Sequence, residues 1–451
     1  MISWNNCFSA QRFGMTGTEK SERTEFERDW DRLIFSSAFR RLQNKTQVFP
    51  LPEEVFVHNR LTHSLEVSSV GRSLGKIVGK KLSELESINS DSKARQFYRN
   101  NLKNVIASAC LAHDLGNPAF GHSGEEAISQ FFIGKNSDDE FKSLFSANEW
   151  ADLIAFEGNS NAIRVLTKQF NGRLSGGFRL TYSTLGSILK YPCESLAGFK
   201  KGDNYKHRSK YGFFQADKEV FSDIATNLNM IKEEDGDLIT YKRHPFVYLV
   251  EAADDICYNI IDFEDAHRLG IFSTDYVSSI FLEIIKLNQN ERIESVLTTA
   301  EKLKEDPNEK IAYLRAKAIN YLAIRCADLF MDDHLDILNG KYSGDLISNI
   351  PETKEIIKKI KEISIEKIYN YPSVVKIELA GFRIMSGLVE DFVNAALISK
   401  ENRQKRDKKI LSLLPNQYKI KEYSTHYEKV MSIIDFVSGM TDLYALKLYR
   451  N

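Results

Sequence analysis

Cysteine and proline are both scarce in this chain of 451 residues, with five of the first and nine of the second. The cysteines (Cys7, Cys110, Cys193, Cys257 and Cys326) are odd in number and far apart, which excludes a CxxC-type zinc spacing and a disulfide framework and predicts reduced thiols. No stretch approaches the roughly 18 apolar residues that cross a bilayer. The opening MISWNNCFSAQRFG lacks the basic and continuously apolar regions of a secretory leader, so the expected location is the cytoplasm, with no membrane contact. An excess of one charge sign is also missing: 61 Lys plus Arg nearly cancel 62 Asp plus Glu. That balance excludes a globally basic coat for nucleic acid and leaves anion binding to local clusters of cations. There is no internal repeat and no low-complexity linker.

What remains is an ordinary globular composition, 42% apolar and 27% charged, carried mostly by helical periodicity. The reading is therefore a mainly α fold with little or no β, organised as a single elaborated domain over residues 1–451. Residues 61–80 place Leu61, Leu65, Val70 and Leu74 at helical spacing. Residues 101–115 form a nearly all-apolar helix, stopped by Gly116 and Pro118 and central by virtue of its composition. Between 171 and 245 the texture turns Gly-, aromatic- and Lys-rich, which predicts irregular loops or a short hairpin among helices. Helical patterning resumes at 246 and continues to the C-terminus.

The chemistry begins at His113-Asp114, where an imidazole and a carboxylate on adjacent residues reach one cation if the helix end loosens. In isolation, a capping or hydrogen-bonded pair would look the same. His63 in HNRLTHSLEV and Asp254 in EAADDICY add two polar groups to otherwise apolar helical sequence, and a shared metal would offset the cost of burying them. His122 and Glu125 lie three residues apart on one helix face, so that the carboxylate is placed to orient the imidazole for proton transfer. Asp254, Tyr258 and Asp262 recur every four residues and form a stripe too polar for a core.

Seven blocks extend this pattern: FRRLQNKTQVFP at 39–50, NRLTHSLEV at 59–67, HDLGNPAFGHSGEEAI at 113–128, FEGNSNAIR at 156–164, LTYSTLGSILKYP at 180–192, YLVEAADDICY at 248–258 and SGMTDLYAL at 438–446. Together they resemble the HD superfamily and, within it, the bacterial dGTP/dNTP triphosphohydrolases. The resemblance implies an HD core over about 55–270 and a further helical region over about 271–451. It makes His63, His113, Asp114 and Asp254 the ligands of one divalent ion, for which two imidazoles and two carboxylates suit Mg, Mn, Fe, Ni or Zn. It gives His122 and Glu125 the catalytic roles, sets Tyr258 against C2′ of a deoxyribose, and puts Gln47 and Asp262 at the 3′-hydroxyl. Arg60, Lys190, Tyr191, Lys210 and Lys429 become contacts for the triphosphate, with Asn159 near the α-phosphate and Glu378 as a further nucleotide contact. Asn117 stands where wider relatives carry a histidine, which argues against a second metal.

The activity so implied is hydrolysis of dGTP to deoxyguanosine and tripolyphosphate, the rivals being a broad dNTPase, an HD hydrolase of another nucleotide, or a nucleotide or single-strand-DNA binder with a vestigial site. Homo-oligomers, hexamers among them, and activation by dNTP or single-stranded DNA are further implications.

Overall fold

The computed structural model describes residues 2–17, 22–49, 57–172, 174–421 and 423–450. Pro50, which closes the first sequence block, and residue 55, where the core was expected to start, lie outside the described residues. Nine of the helices among the described residues build or brace the central cavity: α1 (Arg60–Leu82), α2 (Leu102–Ala112), α3 (His122–Ile133), α4 (Gly158–Thr167), α5 (Val247–Arg268), α6 (Pro307–Asp332), α7 (Pro372–Leu397), α8 (His426–Ser438) and α9 (Asp442–Arg450). Among the described residues no strand ladder forms. The hairpin considered for 171–245 reduces to isolated bridges within the segment, Cys193 with Thr240, Lys232 with Tyr241 and Asp235 with Asp237, alongside the short helices Tyr182–Ser187 and Lys218–Asn227. No helix among the described residues is long and apolar enough to cross a membrane.

The helix α1 starts sharply because the Asn59 side chain accepts from the backbone N–H groups of Leu61 and Thr62, both at 3.0 Å, while the Thr62 hydroxyl returns to the Asn59 N–H. Three glycines four residues apart, Gly71, Gly75 and Gly79, then line one face. A Cβ at these positions would fall 2.5 Å from Cys110 Sγ, 2.8 Å from Lys103 Cα and 2.2 Å from the Tyr98 carbonyl, respectively. The stripe costs helix propensity, on the order of 1 kcal/mol per glycine, and in exchange α2 packs almost backbone to backbone on α1. That approach brings His63, near the start of α1, beside His113, just past the end of α2.

The α2 helix ends at Ala112, three residues before the expected limit, because His113 and Asp114 already belong to the turn. Gly116 permits that turn by close approach: a Cβ there would meet the Gly158 carbonyl at 2.0 Å and the Ala162 nitrogen at 2.2 Å. The apolar core falls into two clusters. One holds α1, α2, α5 and α6; the other gathers α3, α7 and α8 around Phe132, Met385, Phe392 and Ile434. Arg164 of α4, buried, crosses to the second group through ion pairs with Asp435 at 2.6 Å and Asp217 at 3.1 Å.

Candidate active site

The turn after α2, the starts of α1, α3 and α4, the middle of α5 and the start of α7 enclose one cavity of about 490 Å³. Gln47, Arg60, His63, His113, Asp114, His122, Glu125, Asn159, Lys190, Tyr191, Lys210, Asp254 and Tyr258 all line it, although they come from positions spread over more than 200 residues of chain.

Three donors converge at its base. His63 Nε2 lies 3.1 Å and His113 Nε2 3.5 Å from Asp254 Oδ1. The ligand atoms of these three residues lie within 4.8 Å of one another. His113 Nδ1 donates to the Cys110 carbonyl at 2.6 Å, which fixes the N–H there and leaves Nε2 facing the cavity, buried and without a hydrogen-bond partner, free to hold either a proton or a cation. Burial opposes charge on His113, but the carboxylates of Asp114 and Asp254 outweigh it and push the imidazole up to about 9. Burial likewise opposes the Asp254 carboxylate, and His113 and His63 hold it well below the usual range. A group of this kind takes up either protons or a cation, and its two imidazoles and carboxylate fit a divalent transition metal or Mg. Asp114 is arranged differently. Its Oδ2 accepts from Arg60 at 2.7 Å and its Oδ1 from Asn117 at 2.6 Å, with Oδ1 3.5 Å from His113 Nε2. Each oxygen keeps a second lone pair for a cation.

The α3 helix opens on His122, whose Nδ1 is 2.9 Å from Glu125 Oε2 and whose side chain is 85% exposed within the concavity. The other Glu125 oxygen accepts from the Gly158 N–H at 2.9 Å, so the carboxylate is fixed from two sides. The Glu125 hydrogen bond, the largest influence, raises His122 above its ordinary value despite partial desolvation.

Every cation on the wall carries its own counter-charge. Lys190 lies 3.3 Å from Glu251, which Arg243 also grips at 2.9 Å; Lys210 lies 2.9 Å from Glu157; and Arg60 is held by Asp114. Asn159 donates to Glu157 at 2.6 Å and serves the turn into α4. Sequence reasoning missed Glu157 and Glu251, yet both lie inside blocks it had singled out, and Glu251 shares the α5 face of Asp254 three residues on.

On the opposite wall the Tyr258 ring stacks on Tyr369 at 5.6 Å, and the Tyr369 hydroxyl donates to Asp262 at 2.7 Å. Tyr369, unforeseen, lines the cavity; Asp262 is buried behind it and is not part of the wall. Burial lifts the Asp262 carboxyl to about 8 against the pull of the Tyr369 hydrogen bond. Gln47 reaches the wall with Oε1 buried and unpaired. Glu378 of α7 also lines the cavity, whereas Lys429, half-buried on α8, does not: it follows the Thr425 cap at the outer start of that helix.

A helical core that gathers a His, a His-Asp pair and a distant Asp beside a His–Glu couple is the design of an HD-domain metal-dependent phosphohydrolase. Residues 60–176 match the HD domain and residues 349–451 the phosphohydrolase-associated domain. Across its whole length the chain is 36% identical to a deoxyguanosinetriphosphate triphosphohydrolase-like protein of Synechocystis, covering 98% of that relative, and 31% identical to one of Listeria monocytogenes, covering 99%. It is 29% identical, also over its full length, to a deoxyguanosinetriphosphate triphosphohydrolase of Yersinia enterocolitica, covering 98%. The chain belongs to the deoxyguanosinetriphosphate triphosphohydrolase-like family.

Proposed function

We propose that the protein hydrolyses deoxynucleoside triphosphates, dGTP foremost, to the deoxynucleoside and tripolyphosphate. The observation that carries this reading is the convergence of the His63, His113 and Asp254 donors in one cavity with the His122–Glu125 couple. These three residues and Asp114 would hold a single divalent ion, whose contribution is Lewis-acid polarisation of the α-phosphoryl group. The relatives' names support the substrate class.

The chain's own groups account for the rest. Water attacks the α-phosphorus, the bond from phosphorus to O5′ breaks, and O5′ departs as an alkoxide that needs a proton. His122, held by Glu125 in a pairing that favours its charged form, donates it from Nε2, an effect worth roughly 10²–10⁴ in rate. Lys190, Lys210 and Arg60 bind the phosphate chain by exchanging part of their present pairing with Glu251, Glu157 and Asp114 for phosphate oxygens. Tyr258 lies against the deoxyribose, with Tyr369 and Asp262 behind it and Gln47 offering its free oxygen to a sugar hydroxyl.

In this reading the whole chain acts as one domain, since α7 and α3 both wall the cavity. The five cysteines, all free and buried, fit a reducing cytoplasm. A homo-oligomer, up to a hexamer, and stimulation by dNTP or single-stranded DNA complete the family pattern. Incubation of the protein with each dNTP and Mn or Mg, with products resolved by ion exchange, tests the reading. Tripolyphosphate and deoxynucleoside in equal amounts are expected, fastest from dGTP; pyrophosphate or orthophosphate as the first product would overturn it.

A further inference from the structure

His122 is preceded by two residues in an uncommon backbone state, Phe120 at φ 60° and Gly121 at φ 58° and ψ −128°. A bulky side chain resists the left-handed region, so neighbouring structure must impose it on Phe120. The groups that do so come from the far end of the chain. Asp442, the first residue of α9, is 7% exposed, and its Oδ1 accepts from the Phe120 N–H at 3.0 Å. Its Oδ2 accepts from the Thr46 N–H at 2.9 Å and the Thr46 hydroxyl at 2.7 Å. One carboxylate thus ties the loop that leads into His122 to the loop that carries Gln47.

Two further contacts converge on the same turn. Buried Lys45 donates from Nζ to the carbonyls of Asn117 and Ser438, the latter at 3.0 Å, which links the turn to the end of α8. From the other side α7 leaves room for the Phe120 ring only because residue 381 is glycine: a Cβ there would lie 2.4 Å from Phe120 Cγ.

We propose that Asp442 is a positioning residue for hydrolysis, acting from α9 through the Phe120–Gly121 turn to set the aim of His122. Three donors on one buried carboxylate need both oxygens as acceptors, a demand that Asn cannot meet because its amide nitrogen would oppose one of the N–H groups. The inference rests on the function proposed for this site, in which His122 supplies the proton to the leaving oxygen. It assigns the C-terminal region a part in catalysis, although none of α9 lines the cavity.

The test is a double-mutant cycle on tripolyphosphate release from dGTP with Mn, comparing wild type, D442N, H122A and the pair, with K447A as a control from the exposed face of α9. A misaimed acid costs on the order of 10- to 100-fold in kcat. D442N is therefore expected to lose that much in the wild-type background and less than about twofold in the H122A background, because a residue that acts through His122 has nothing left to position. K447A is expected to match wild type. Retention of wild-type kcat by D442N, or an equal fold-loss in both backgrounds, overturns the proposal and leaves Asp442 a structural staple. Should D442N not fold, G381A carries the same cycle: Ala favours the helix while its methyl group displaces the Phe120 ring, and the same pattern is expected. If the wild-type protein releases no tripolyphosphate, the functional reading itself fails, a result distinct from a wild type that is active beside a D442N that is equally active.

Discussion

His122 Nδ1 and Glu125 Oε2 stand 2.9 Å apart across one turn of α3, and the second Glu125 oxygen is fixed by the Gly158 N–H. The pairing raises His122 above its ordinary value, because the Glu125 carboxylate favours the imidazolium. A proton donor must be protonated, and the rate should accordingly fall as rising pH removes the proton, at a pH above that of an ordinary imidazole. Glu125→Gln withdraws the charge that supports the imidazolium, and the alkaline limb of kcat should move to lower pH. His122→Ala should cost roughly 10²–10⁴ in kcat with the helical circular dichroism unchanged. A limb that stays in place in Glu125→Gln would exclude the donor role.

The unpaired His113 Nε2, turned toward Asp254 by the Cys110 carbonyl, marks the metal centre for a direct test. Extensive dialysis against a chelator should abolish activity, and Mn should restore it. Asp254→Asn and His113→Asn should each weaken Mn binding, read by calorimetry, by more than the roughly 10- to 100-fold that loss of a supporting partner costs. Asp114 is also paired with Arg60 and Asn117, so Asp114→Asn should disturb Arg60 as well and raise KM along with the metal constant. Unaltered Mn affinity in Asp254→Asn would remove this residue from the ligand set.

Stacking of Tyr258 on Tyr369, with Asp262 behind, makes this wall of the cavity a layered unit, the one against which the proposed function sets the sugar. Tyr258→Ala opens that wall, and the preference for dGTP over GTP in kcat/KM should shrink roughly tenfold or more. Tyr369→Phe should leave KM for dGTP raised, because the Asp262 carboxyl, already lifted to about 8 by burial, loses the hydroxyl that donates to it. Equal GTP discrimination in wild type and Tyr258→Ala would place the sugar elsewhere.

Much of this was legible in the residues. The α1 and α2 helices announce themselves by apolar spacing, and the His-Asp turn by Gly116 and Pro118. What periodicity does not show is why the two helices meet so closely: the Gly71, Gly75 and Gly79 stripe is visible as spacing, but its partner face is known only from three dimensions. The site's cations were read as free phosphate ligands, and sequence alone gives no sign that Glu157 and Glu251 already neutralise Lys210 and Lys190. Tyr369 escaped notice because it ends a π-helical turn, Ser364–Tyr369, more than 100 residues from Asp262, where the spacing departs from the ordinary helical period. Lys429 failed for the opposite reason, since a lysine on an amphipathic helix looks the same whether it faces a cavity or solvent.

His58 offers a test of stability distinct from catalysis, because it fastens the segment before α1 to α5. Its Nδ1 lies 2.7 Å from Asp265 and its Nε2 3.0 Å from Glu66, while its backbone N–H donates to Asp265 at 2.9 Å. Burial disfavours charge on the ring, yet the hydrogen bonds to Asp265 and Glu66 prevail and push it up to about 10. A group raised above its unfolded value of about 6.5 stabilises fully below that pH, and the contribution fades as pH rises toward the folded value. His58→Gln keeps bulk and polarity but not the charge, and should cost about 2–3 kcal/mol at pH 6, since it leaves two carboxylates without their cation. Thermal melts of wild type and variant should therefore differ most at pH 6, converge steadily between about 6.5 and 10, and nearly coincide above that range. A gap in Tm that is the same at pH 6 and pH 10 would mean that the ring acts by packing, and that its charge contributes nothing to holding Asn59, and with it the start of α1, in place.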